Sequence, residues 1–372
     1  MTRPQSAWAR IGFWNMTSSA TMNPNGPKAG PRSRSALTAL ALTCAIILSG
    51  CGVRLESPPP TEPVPDAVEV VRRTAVADAL LVADQAGAAA VAEGVDADVA
   101  ARLTAIAEAT TMQAEQLGGE YDSGLGDIVT QRSGASPSAI IPEQTPRAVV
   151  TSLGDAATRT RAAADQAQSG PLARLLGSIS AAQARYARDL ARLTGARGPA
   201  LPSTQIPEPP EDDAEPSEDE ASTAPASATE EPAAVPTGLS AEELATLVLA
   251  EDTAAYALEV RAAQADGEVR TRAYDRARVH RARAQAWALL AGVDGTDQDP
   301  RRVAYAVPGP ETATPDLARD LEEDLTQNYA TLVGVAEPGT RAVLVALLTD
   351  TTLAAAQWNA PATPFPGLPE QA

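Results

Sequence analysis

Ser240-Ala-Glu-Glu-Leu-Ala-Thr-Leu-Val-Leu-Ala-Glu-Asp-Thr-Ala-Ala-Tyr-Ala-Leu258 is the stretch on which the fold turns. It opens on a capping box. The Ser240 hydroxyl can accept from the backbone N–H of Glu243, and the Glu243 carboxylate from that of Ser240, which satisfies donors that a helix start leaves open. Leu244, Leu247, Val248, Ala255 and Leu258 then recur at helical spacing. No proline occurs between Thr237 and Asp299, and proline breaks helix interiors. The same composition, rich in Ala, Leu, Arg, Glu and Gln, fills every other proline-free window and favours helix. Alternating runs of β-branched and aromatic residues are missing. The fold class is therefore all-α.

Outward from this helix, the spacing predicts a unit over residues 239–370 with helices near 240–265, 268–292, 315–336 and 339–358. A second unit of the same plan occupies 66–196, with helices near 66–92, 96–117, 146–168 and 171–194. In each, a long loop separates the two helix pairs, and the third and fourth helices meet at a tight turn, Ser169-Gly170-Pro171 and Glu337-Pro338-Gly339. Two four-helix bundles follow, and a long central connection in each suits a ferritin-like bundle with a crossover. Between them, residues 197–238 contain Glu208-Pro-Pro-Glu-Asp-Asp-Ala-Glu-Pro-Ser-Glu-Asp-Glu220. Such a segment has too little apolar surface to fold and reads as a disordered, self-repelling linker. It is expected to hold the second bundle away from the first.

The chain begins with residues of another kind. Ala36 to Gly50 is an apolar run preceded by Lys28, Arg32 and Arg34 and closed by Leu48-Ser49-Gly50-Cys51. It is shorter than the roughly 20 residues that span a bilayer and has the length of a signal-peptide core. The closing tetrad looks like a bacterial lipobox, so residues 1–50 read as a lipoprotein signal peptide, Cys51 as the lipidated residue and 51–65 as a Pro-rich stem. Met16 or Met22 would give a leader of more ordinary length than Met1. The chain has only two cysteines. Cys44 leaves with such a leader and Cys51 carries lipid, so no thiol remains for a disulfide, a metal or a nucleophile. Acyl chains would hold the protein on the extracytoplasmic face of the cell membrane.

The net charge is −19, against the basic surface that nucleic acid requires. The sequence thus excludes nucleic acid as a partner and leaves the membrane, through lipid on Cys51, and an envelope protein.

Residues 238–370 carry a resemblance. Leu249-Ala-Glu-Asp-Thr-Ala-Ala-Tyr256, Tyr274, Val279-His-Arg-Ala-Arg283 and the tail Phe365-Pro-Gly-Leu-Pro-Glu370 resemble an uncharacterised family of ferritin-like domains found in lipoproteins and other envelope proteins of actinobacteria. The resemblance implies a shape and no activity.

A ferritin-like di-metal site takes a Glu from each of two helices and Glu-x-x-His from each of the other two. This chain has a single histidine, His280, with Ala277 three residues before it, so that constellation is broken and no cofactor is expected. A smaller polar cluster remains. Glu251 lies seven residues from both Leu244 and Leu258, on the apolar stripe of its helix. His280 lies in the seam Ala273, Ala277, His280, Ala284, Trp287, Ala291. Asp324 or Asn328 in the third helix and Asp350 in the fourth could approach the same level. Two readings stand: a metal site, with Glu251, His280, Asp324 and Asp350 as weak candidate ligands, or a hydrogen-bonded Glu–His pair that fixes register. A lone histidine is poor support for a metal that takes several N or S ligands, which favours the pair.

No Ser-His-Asp or Cys-His set and no Gly-rich phosphate loop is present, so no catalytic residue is assigned. Tyr256, Tyr274, Trp287, Tyr305, Tyr329 and Trp358 are expected in the core of the second bundle. Val68, Val71, Leu81, Val82, Val99, Leu103, Ile106, Leu117, Leu172, Leu175, Leu176, Ile179 and Leu190 are expected in that of the first. The expected function is a noncatalytic binding or scaffold module tethered to the membrane. The alternative is a metal-binding or redox protein using a degenerate site in the second bundle.

Overall fold

A computed structural model describes residues 64–122, 144–209 and 233–371. The leader, Cys51 and most of the acidic linker lie outside the described residues. Within them the chain forms eight α-helices and a 3₁₀ turn, with no strand. The first four are α1 (Ala67–Ala90), α2 (Ala97–Gln116), α3 (Pro146–Gln166) and α4 (Gly170–Thr194), followed by α5 (Ala241–Gln264), α6 (Gly267–Leu290), α7 (Thr314–Val335) and α8 (Ala342–Gln357). The all-helical class and the two groups of four are as the sequence predicts.

Local chemistry accounts for the boundaries. The capping box at α5 is formed: Glu243 N–H donates to Ser240 Oγ at 3.2 Å and Ser240 N–H to Glu243 Oε2 at 2.7 Å. Asp66, Asp96, Thr145 and Ser169 cap α1 to α4 with half of that arrangement, each side chain accepting from a first-turn N–H. Proline stands in the first turn of α3, α4 and α7, where its missing N–H has no intrahelical partner to lose.

In the first bundle α1 pairs with α2 and α3 with α4. Val82, Leu103, Ile106, Val149, Leu153, Tyr186 and Leu190 make its own core. Val68 and Leu81, expected there, are exposed at the surface instead, because the buried stripe of α1 runs through Ala75, Val76, Ala79, Val82 and Ala86.

In the second bundle, Arg276 and His280 of α6 face Glu322 of α7, and Trp287, further along α6, faces Tyr329, further along α7. These two helices therefore run parallel. The loop between them travels back along the bundle, which is the long crossover the sequence suggested. Tyr305 pins that loop by donating to Asp252 of α5 at 2.6 Å.

The two bundles are not held apart. Residues 61–372 fall into one compact unit, in which α4 packs on α7 and α8, and α3 on α8. Every residue of α4 from Leu176 to Ala187 is buried. A helix buried all round has no solvent face to carry charge, and Gly177, Ser178, Ser180, Ala181, Ala182 and Ala184 keep it thin. The Gly177 Cα faces Val333, Val345 and Leu348 of the second bundle. One core cluster accordingly runs from Ala79, Leu176 and Ile179 to Trp287, Tyr329 and Leu348. The expected separation is corrected on this ground: burying α4 from both sides removes apolar surface that neither bundle covers alone.

The junction is reciprocal. The turn leading into α8 docks on the end of α3, where Gly339 N–H donates to the Asp165 carbonyl at 2.7 Å and Arg341 N–H to Asp165 Oδ1 at 2.7 Å. The turn leading into α4 docks on the end of α7, where Gly170 meets the Gly334 backbone so closely that a Cβ would overlap its carbonyl oxygen. The C-terminal tail then crosses the first bundle. The carbonyls of Ala360, Pro364 and Pro366 accept from Arg185 at 2.9 Å, Gln113 at 3.1 Å and Ser178 at 2.8 Å. No helix among the described residues is long and apolar enough to cross a membrane.

Candidate functional site

A chain of buried polar groups runs through the centre of the second bundle. Glu251 on α5, His280 on α6 and Glu322 on α7 are each fully buried. Helical periodicity places them: each falls on the inward stripe of its helix, among Leu247, Leu258, Ala277, Ala284, Leu325 and Tyr329. His280 Nδ1 lies 2.6 Å from Glu251 Oε2 and its Nε2 lies 3.1 Å from Glu322 Oε1. The other oxygen of Glu251 accepts the Tyr329 hydroxyl, which in turn accepts Trp287 Nε1–H at 3.3 Å. Arg276 grips both oxygens of Glu322, at 2.5 and 2.7 Å, and reaches Asp350 of α8 at 2.7 Å. Arg283 donates to the same Asp350 oxygen at 2.6 Å.

Electrostatics follow from this geometry. Burial works against a charged imidazole, as does nearby Arg276, yet Glu322 and Glu251 outweigh them and raise the His280 pKa above its ordinary 6.5. Protonated, the ring donates from both nitrogens, as its two carboxylate neighbours require. Burial also opposes ionisation of Glu322, but Arg276 and His280 hold its pKa down at about 2. Arg276 and Arg283 do the same for Asp350, again to about 2 against the effect of burial. Desolvation, reinforced by Glu251, pushes Tyr329 well above its ordinary value and keeps it a donor. Three carboxylates, Glu251, Glu322 and Asp350, are thus balanced by Arg276, Arg283 and protonated His280.

Of the sequence candidates, the structure brings Glu251 and His280 into direct contact and joins Asp350 to them through Arg276 and Glu322. Asp324 does not join: it is exposed on the far side of α7. Asn328 is half-buried beside Thr331 and Leu332 at another surface. The residue at that level of α7 is Glu322, two positions from Asp324 and so turned about 200° around the helix. Glu322, Arg276, Arg283 and the Tyr329 hydroxyl were missed. The signal for Glu322 was present, since Ala318, Glu322, Leu325 and Tyr329 repeat the 4-3-4 spacing that pointed to His280. Trp287, Tyr329 and Trp358 are core residues as expected, whereas Tyr274 is exposed and Tyr256 and Tyr305 meet edge-to-face at 5.6 Å in a half-buried pair.

A metal ion does not fit these donors. Both oxygens of Glu322 are committed to Arg276 and both nitrogens of His280 to carboxylates, and a cation would meet two guanidinium groups at close range. Among the described residues no group of three or more His, Cys, Asp or Glu side chains is arranged to hold a metal.

Fold and site together define a tandem pair of four-helix bundles, the second built around a charge-balanced polar network. Residues 243–370, from the first turn of α5 to the C-terminal tail, match the family described as a domain of unknown function, DUF4439. The second bundle is thus similar to an uncharacterised domain family, and that match does not extend to the first bundle. Neither curated proteins nor solved structures give a significant match.

Proposed function

We propose that this chain is a membrane-tethered lipoprotein working on the extracytoplasmic face of the cell membrane as a noncatalytic binding or scaffold module. Leu48-Ser49-Gly50-Cys51 behind a basic-flanked apolar run supports the tether. The observation that carries the noncatalytic reading is the pairing of every carboxylate in the polar network. Each carboxylate in it is matched by a cation or a phenol, so it has no spare base, nucleophile or metal donor to offer a substrate. Such a network fixes the register of four helices.

Membrane fractionation of the full chain and of Cys51→Ser tests the tether. Release of the variant into the soluble fraction is expected, and retention equal to wild type overturns it. Elemental analysis of the purified full chain tests the rest: iron, manganese or zinc bound stoichiometrically would replace this reading with a metal-binding or redox role.

A further inference from the structure

An open cleft of about 590 Å³ lies where the two bundles meet. Arg188 and Arg192 of α4 and Leu201 form one wall, and Arg272, Arg276 and Val279 of α6, Asp350 of α8 and Trp358 just past its end form the other. Its volume is that of a small-molecule site, and ligands favour such junctions between packed units. We infer that this cleft binds a small amphipathic oxyanion, a carboxylate or phosphate ester with an apolar body. The inference deepens the binding-module reading and rests on it.

Charge supports the oxyanion. Arg188, Arg192, Arg272 and Arg276 line the cleft against Glu268, Asp275 and Asp350, a local positive surplus in a chain of net charge −19. The residues behind the lining leave that surplus unchanged, because Arg283 and Arg185 are offset by Glu322 and Asp189. Asp350 serves both Arg276 and Arg283, and Asp189 serves both Arg185 and Arg192. Glu268, the partner of Arg272, is 83% exposed and screened by water. Arg188 is exposed and has no ion-pair partner among the described residues. Guanidinium groups present planar forks suited to carboxylate and phosphate oxygens.

The wall supports the apolar body. Leu201 and Val279 face the cleft 40% and 38% exposed, beside Leu353, Ala354 and the Trp358 ring over which Arg272 lies at 5.1 Å. Apolar side chains left open inside a concave, cation-lined space are an unpaired surface that a hydrocarbon group would cover. The floor is rigid, since Arg276 and Asp350 are the outer end of the buried network and cannot swing to fill the space.

Titration of the full chain in detergent with phenyl phosphate, followed by calorimetry, tests the assignment. Inorganic phosphate and benzyltrimethylammonium are the controls. Phenyl phosphate should bind, more tightly than inorganic phosphate, while the ammonium does not. Arg188→Glu, at an exposed side chain with no partner to lose, should weaken binding roughly tenfold or more, and Val279→Asp should erase the preference for the phenyl ester. Absence of phenyl phosphate binding, binding indifferent to Arg188→Glu, or preference for the ammonium overturns the inference. Arg188-dependent capture of Cys51→Ser protein by phosphatidylglycerol vesicles, without uptake of phenyl phosphate, overturns the assignment to a free molecule. Fractionation and metal content do not depend on the cleft, so a failed titration beside a soluble, metal-free Cys51→Ser protein removes this ligand class and leaves the tethered noncatalytic reading standing.

Discussion

Replacing His280 with Leu isolates what the polar network contributes. The ring sits between Glu251 and Glu322, both fully buried. Leu fills similar volume but returns neither hydrogen bond. Glu322 keeps its two-point contact with Arg276. Glu251 is left with the Tyr329 hydroxyl alone, a carboxylate in the core with no cation beside it. Breaking a buried pair by removing one member costs about 3–5 kcal/mol, and His280→Leu should lose that much at neutral pH. Removing both partners should cost less. In Glu251→Leu/His280→Leu the stranded charge is gone, the Tyr329 hydroxyl still accepts from Trp287, and the remaining loss is of the order of 1–2 kcal/mol. The double variant is therefore expected to be more stable than the single one by about 2 kcal/mol. Urea unfolding followed by far-ultraviolet circular dichroism measures this directly, as a midpoint shift at unchanged slope. A loss below about 1 kcal/mol for His280→Leu, or a double variant as unstable as the sum of the two singles, would refute the argument that the network is held by mutual neutralisation.

Stability should depend on pH in two limbs with different owners. The Glu322 and Asp350 pKa values are depressed to about 2 from ordinary values of 4.5 and 3.8, so their contribution is complete above the ordinary values and is lost as pH falls towards 2. The His280 pKa is raised above 6.5, so its contribution is complete below 6.5 and is lost as pH climbs through the raised value. Urea midpoints should therefore be highest between about pH 4.5 and 6.5, and His280→Leu should flatten the alkaline limb only; a variant that retains that limb assigns it to another group. At the junction, Gly170→Ala places a methyl against the Gly334 carbonyl. Overpacking of this kind costs about 1–3 kcal/mol, which thermal unfolding will register; a wild-type melting temperature would show that the helices can part there without loss.

Sequence reading was strongest where a local rule decides structure. Helix starts at Ser240, Asp66, Asp96, Thr145 and Ser169 are written in the capping residues, and the periodicity that put Glu251 and His280 inside the bundle needs only the spacing of their neighbours. Reading was weaker where two rotations about one helix compete. Asp324 and Glu322 are two residues apart and chemically alike, and only the Ala318–Leu325–Tyr329 seam separates them. Arg276 was hidden because a long cationic side chain normally points to water, and nothing in its own helix reveals the carboxylates on α7 and α8 that draw it inward. The docking of the bundles was legible only in hindsight. Gly177-Ser-Ile-Ser-Ala-Ala-Gln-Ala184 carries no charge on any face, which a helix with one side in solvent seldom tolerates. An acidic linker nearby argued for separation, but a linker sets what distances are allowed, while the faces of the helices decide which are adopted.

Polarity is divided between the two bundles in a way that ties them together. The first bundle buries Gln85, Thr110, Gln113 and Gln183 and one ion pair, Arg185 with Asp189, where the second buries a whole network of charge. Gln183 donates to Gln113, 3.4 Å away, and Gln113 reaches across the junction to donate to the Pro364 carbonyl of the tail. Ser178 and Arg185 donate to the same tail. Were the bundles to part, Gln113, Ser178 and Arg185 would each lose a partner from the interior, at about 1–3 kcal/mol for each group left unsatisfied, and α4 would expose the small residues that now face Val333, Val345 and Leu348. Charge fixes the register inside the second bundle, and Gln113 on α2 with Ser178 and Arg185 on α4 fixes where its tail lies on the first. The tail Phe365-Pro-Gly-Leu-Pro-Glu370, the part of the chain most distinctive by sequence, is accordingly a docking strap. Within it the carbonyls of Pro366 and Gly367 accept from Ser178 and Arg174 of the first bundle, and Arg174 also pairs with Glu370. Because that strap and the reciprocal turns at Gly170 and Gly339 hold α4 against α7 and α8, the cleft between Arg188 and Arg272 keeps a fixed width, which preorganises it for one size of ligand.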